Sequence, residues 1–165
     1  MKIKRACVLL AGLLLLLPLM GCGVQKPDIA KIAVLQGGFG DFKDYKIDLE
    51  SRQFWAFIGG HNARRDETAP DEGYELVKDL EQKDIDTFLR EASKSGFLNW
   101  GDQSKYSGSE YVAGHNWVIF VYYVDGTMDE FGSTANYPET WDRMFDAFEA
   151  LTGERVLGYK KDSQY

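Results

Sequence analysis

The stretch HNWVIFVYYVDGTMDEFGS, residues 115–133, decides the architecture. Eight apolar residues, Trp117 to Val124, run unbroken into Asp125-Gly126, after which MDEF resumes. A run rich in β-branched and aromatic residues that ends at Asp-Gly predicts a β-hairpin with a two-residue type I′ turn. Hairpins of this kind belong to antiparallel sheets, so the search for partner strands runs outward from here.

Four segments upstream read as strands. KIAVLQ (31–36) is a short apolar run. DYKIDLE (44–50) alternates Tyr45, Ile47 and Leu49 with Lys46, Asp48 and Glu50, the period-two pattern of a half-buried strand. Glu50-Ser51-Arg52 then turns the chain into a strand carrying Phe54 to Ile58, and YELVKDL (74–80) supplies a further strand. Two segments have the helical period instead. Ile85, Phe88, Leu89 and Ala92 fall at i, i+3, i+4 and i+7, with Lys94 in the last turn and Gly96 placed to end the helix. In NYPETWDRMFDAFEALTG (136–153), Trp141, Met144, Phe145, Phe148 and Leu151 form a second stripe closed by Gly153. Asn136 and Glu139 stand at capping-box spacing there, and Pro138 falls near the first helical position. The order lacks βαβ alternation, which predicts an α+β fold: an antiparallel sheet of hairpins with two amphipathic helices packed on one face.

The N-terminus has a different character. MKIKR carries three cations, and the apolar run from Ala6 to Met20 is 15 residues long. That is short of the roughly 20 residues a spanning helix needs. A basic start, a short apolar run and then small residues make a secretory signal. Leu19-Met20-Gly21-Cys22 resembles the lipobox of bacterial lipoproteins. The resemblance implies removal of residues 1–21 by cleavage after Gly21. It also implies a diacylglycerol thioether on Cys22 and palmitate-type acyl chains that hold the protein on the cell membrane, facing the extracytoplasmic side. Residues 22–30 become a lipidated tether, and residues 31–165 a single α+β domain. Cys7 leaves with the signal, so no disulfide and no cysteine-based zinc site is available. Removal of three cations leaves 16 Lys and Arg against 26 Asp and Glu, a net charge of −10. With no basic stripe, nucleic acid is not an expected partner.

Residues that invite a catalytic or binding reading lack the spacing such motifs need. Gly37, Gly38 and Gly40 follow a strand, but neither a dinucleotide fingerprint nor a Walker loop continues from them, so they read as a turn. His61 and His115 have no metal-ligand spacing, and ARRDETAPDEG (63–73) lacks the calcium-loop pattern. The serines lack a Gly-x-Ser-x-Gly elbow. No cofactor is implied. Aromatic residues in the glycine-rich segment 99–114, Trp100, Tyr106 and Tyr111, are those that core packing least explains, and are the expected ligand contacts.

The segment NWVIFVYYVDGTMDEFGSTANYPETWDRMFDAFEALTG (116–153) resembles the closing unit of small bacterial lipoproteins whose domains have no assigned function. The likeness carries structural residues and no catalytic ones. The expectation is a non-catalytic binding or interaction module, monomeric as a soluble domain, that meets a protein or a glycan. The alternatives are an envelope-acting hydrolase with unidentified carboxylates and an inhibitor- or immunity-type lipoprotein with an acidic face.

Overall fold

The computed structural model describes residues 28–38, 41–58, 73–103, 116–134, 136–158 and 160. Among these residues six strands form one antiparallel sheet: β1 (Ile29–Gly38), β2 (Asp41–Asp48), β3 (Gln53–Phe57), β4 (Tyr74–Asp79), β5 (Asn116–Tyr123) and β6 (Met128–Thr134). Their order across the sheet is β4-β3-β2-β1-β5-β6. The two meanders therefore join at β1, whose two neighbours are β2 and β5. Two long helices, α1 (Gln82–Ser95) and α3 (Trp141–Thr152), share one hydrophobic core with a single face of this sheet. Between them in sequence, a 3-10 turn (Phe97–Asn99) leads into the short helix α2 (Trp100–Gln103). The α+β architecture expected from the hydrophobic periods is the one observed.

Alternation sets which side chains reach the core. Ile32, Ile47, Phe54 and Val121 share one cross-strand row, and Val34, Tyr45, Ile119 and Phe131 the next. All eight belong to the core, where they meet Ile85, Phe88 and Ala92 from α1 and Met144, Phe148 and Leu151 from α3. Phe88 and Phe148 join the helices, with ring centroids 4.8 Å apart. Helices of this length gain most of their stability from such packing, since isolated helices of 12–15 residues are marginal in water.

At one end of the core three indoles converge. Trp100 stacks on Trp141 at 5.5 Å, and Trp117 lies 4.9 Å from Trp141 and 6.0 Å from Trp100. Buried indole N–H groups need acceptors. Trp117 donates to the Asn136 carbonyl at 3.0 Å, and Trp100 to the Thr140 hydroxyl at 3.1 Å. Thr140 in turn donates to the Ser95 carbonyl at 2.9 Å, tying α1 to the start of α3.

Several local expectations change. Helix α3 starts at Trp141 with Thr140 as its N-cap, so Asn136, Pro138 and Glu139 precede it and form no capping box. Thr140 makes no side-chain cap bond because its hydroxyl serves Trp100 and Ser95. The β5–β6 connection is not a type I′ turn. Tyr123 N–H bonds the Thr127 carbonyl at 2.9 Å, and Gly126 N–H bonds the Tyr123 carbonyl at 3.0 Å, closing a three-residue loop. Gly126 alone takes a positive φ there, 84°, in the pattern of a turn followed by a left-handed bulge residue. Strand β1 begins at Ile29, ahead of the expected strand KIAVLQ (31–36), because Ile29 pairs with Tyr123. Gly37 and Gly38 extend β1 and pair with Phe42 and Asp41 in a tight β1–β2 hairpin.

Candidate functional site

Trp100, expected among the ligand contacts, is 0% exposed and packs against Trp117 and Trp141. It sits in the helical turn α2 and not in a loop. The other expected contacts, Tyr106 and Tyr111, lie outside the described residues, as do Cys22, His61, His115 and most of the acidic segment 63–73. Among the described residues, no group of three or more His, Cys, Asp or Glu could hold a metal ion. No described helix is long and apolar enough to cross a membrane.

A groove of about 270 Å³ runs between α1 and α3, lined by Phe88, Ala147, Ala150 and Leu151 with Asp84, Glu91, Arg143 and Asp146 around them. Its chemistry is limited by the state of Glu91. Arg143 donates to one Glu91 oxygen from Nε at 3.0 Å and from a terminal nitrogen at 2.6 Å, while Lys94 donates to the other at 3.1 Å. The Arg143 bond, followed by that of Lys94, holds the Glu91 carboxyl below its ordinary range. A carboxylate kept ionised and occupied at both oxygens is a poor general acid and a poor base. The arrangement pins α1 to α3 across the surface.

The opposite face of the sheet is different in kind. Both helices lie on the core side, which leaves the alternate residues of every strand on a face that neither helix covers. The register places Leu76, Trp55, Lys46, Ala33, Phe120 and Glu130 in one row across the six described strands, and of these Ala33 and Phe120 are buried. Phe57 and Tyr74 pair beside it toward the end of the sheet where β1 finishes. A bulge in the β3–β4 pairing at Phe54/Trp55 allows this: Phe54 pairs with Lys78, Trp55 with Leu76, and Val77 is the extra residue. Lys78 therefore stays on the core side and donates to the Leu151 carbonyl of α3 at 3.2 Å, where a cation complements the helix C-terminus.

The resulting patch centres on the β3–β4 half of the sheet. Leu76 is 44% exposed, and Trp55, Phe57 and Tyr74 are half-buried around it. Phe57 and Tyr74 rings lie 5.3 Å apart at 60°, and the Lys46 ammonium covers the Tyr74 ring at 3.9 Å. Stacking on a sugar requires an open aromatic face, and these rings are tilted against each other with one face already taken by a cation. On the same face Lys31 meets Asp48 at 3.6 Å, the Lys46 ammonium lies over the neutral Tyr74 ring, and Glu130 adds a further carboxylate. What the patch offers is apolar and aromatic contact area. None of its members is among the expected contacts Trp100, Tyr106 and Tyr111. Strand alternation accounts for Trp55 and Phe57, which must face away from a core-facing Phe54.

Searched against protein families and against curated proteins, the chain matches none.

Proposed function

We propose that the mature chain is a lipid-anchored interaction module on the extracytoplasmic side of a bacterial membrane, acting by binding rather than by catalysis. The observation that carries this reading is the sheet face on which Leu76 stands exposed among half-buried Trp55, Phe57 and Tyr74, with no described helix over them. Contiguous apolar surface of this sort marks interaction sites, and aromatic residues in its centre supply most of the binding energy. The tilt of Phe57 against Tyr74 and the Lys46 contact favour a protein surface over a glycan. The partner is one that presents an apolar surface to Leu76 and the aromatic residues around it. Lipidation of Cys22 supplies the address, on the strength of the lipobox-like Leu19-Met20-Gly21-Cys22.

Two measurements test the two parts. Cys22→Ser abolishes lipid labelling and releases the protein from the membrane; unchanged labelling refutes the anchor. A photo-crosslinking side chain introduced in cells at position 76 or 55 gives a discrete protein adduct that Tyr74→Glu suppresses. The same group at Asp86, on the exposed side of α1, gives none. Adducts of equal yield from both faces, or none from the sheet face, refute the binding surface.

A further inference from the structure

The end of the sheet at which β1 begins is also the end at which the proposed tether enters. Six large apolar residues are exposed among the described residues, and three of them sit together on the β5–β6 hairpin at that end: Val124 at 59%, Met128 at 47% and Tyr122 at 36%. Tyr122 and Met128 are direct cross-strand partners. The Val124 N–H bonds the Asp28 carbonyl at 2.9 Å, so the chain emerging from the N-terminal side runs against this hairpin tip.

Reach converts this placement into a constraint. Six Cα–Cα steps separate Cys22 from Asp28, and a fully extended chain of that length spans at most about 22 Å. A lipidated Cys22 therefore keeps Asp28, and the hairpin bonded to it, within that distance of the headgroups. At such range even a weak contact forms, because the anchor raises the effective concentration of the surface. The side chains suit an interface rather than a span. A tyrosine with an apolar body and polar tip settles at headgroup level, and Val124 and Met128 add apolar area beside it. The one carboxylate in the turn is engaged internally: the Asp125 Oδ1 accepts from the Thr127 N–H at 2.9 Å and from its hydroxyl at 2.6 Å. We propose that Val124, Met128 and Tyr122 form a second membrane contact. It docks this hairpin on the lipid interface and turns the far end of the sheet, with Phe57 and Tyr74, toward the partner.

This inference rests on the lipid-anchor reading, and the test separates the two. The intact lipidated protein is reconstituted in phosphatidylcholine vesicles with a nitroxide at Val124→Cys, Met128→Cys or, as the control at the far end of β5, Asn116→Cys. Cys7 is lost with the signal and Cys22 is blocked by lipid, so each variant has one reactive thiol. At 124 and 128, collision with oxygen dissolved in the bilayer exceeds collision with an aqueous nickel chelate, and at 116 the order reverses. If the protein floats with the vesicles while all three positions report water, the hairpin contact is overturned and the anchor stands. If the protein does not float, both fall. Spin–spin broadening at 124 assigns the patch to a second copy of the chain and also overturns the membrane contact.

Discussion

Thr140 joins three elements through one hydroxyl, and replacing it with valine isolates what that hydroxyl does. Val has nearly the shape of Thr, so Thr140→Val leaves packing intact and removes only hydrogen bonds. The Trp100 indole N–H, now bonded at 3.1 Å and belonging to a residue with 0% exposure, loses its acceptor. The Ser95 carbonyl, bonded at 2.9 Å, loses its donor. An orphaned buried donor costs about 1–3 kcal/mol, and the loss of a second, partly solvated bond about 0.5–1.5 kcal/mol. The half-exposed position of Thr140 lets water reach the carbonyl, so the sum settles at about 2 kcal/mol. For a domain of this size that corresponds to a fall in Tm of roughly 5–10 °C. Thr140→Ser keeps the hydroxyl and serves as the comparison. Urea unfolding followed by tryptophan fluorescence and by circular dichroism measures both variants. If Thr140→Val and Thr140→Ser are equally stable within about 0.5 kcal/mol, the bridge contributes nothing and the reasoning fails.

Two further outcomes are expected. Gly126 has φ 84° with open space around its missing side chain, so Gly126→Ala meets no clash and pays only for the left-handed backbone, about 1–2 kcal/mol in urea unfolding; Gly126→Asn costs less, and equal effects contradict the turn assignment. Burial, and then the Asp129 carboxylate that accepts its hydroxyl proton at 2.5 Å, push the ionisation of Tyr123 above the ordinary value of 10.0. Protonation is thus favoured in the folded state, and the stabilisation is complete below pH 10 and declines as pH rises beyond it. Stability of Tyr123→Phe, measured from neutral to strongly alkaline pH, falls less steeply than wild type; parallel profiles refute the assignment.

The perturbed groups and close contacts follow from how far each signal extends along the chain. Gly96 and Gly153 end their helices in left-handed conformation, at φ 65° and 82°, where the fading of each apolar stripe placed them. The alternation of Tyr45, Ile47 and Leu49 identified their shared face correctly, because a strand repeats every two residues whatever it pairs with. Trp100 misled for the opposite reason. Its immediate neighbours Asn99, Gly101 and Asp102 are polar or small, and although Phe97 packs on it at 5.1 Å, the indoles of Trp117 and Trp141 that complete its burial come from 17 and 41 residues away. The start of α3 was misread likewise: Thr140 is drawn into a tertiary bridge, and the helix begins after it.

By itself the sequence determined what depends on neighbours within a few residues: the strands and helices, the glycines that end the helices, the α+β class, and the lipobox-like cysteine that sets the expected address. Tertiary structure alone decided what depends on pairing between distant segments. It set β1 between β2 and β5, committed both helices to one face and closed the indole cluster. By keeping both helices off the other face it also left Leu76 with Trp55, and Tyr74 with Phe57, as a candidate site. Periodicity states that a strand has two faces; which of them a helix covers follows from burial summed over the whole chain.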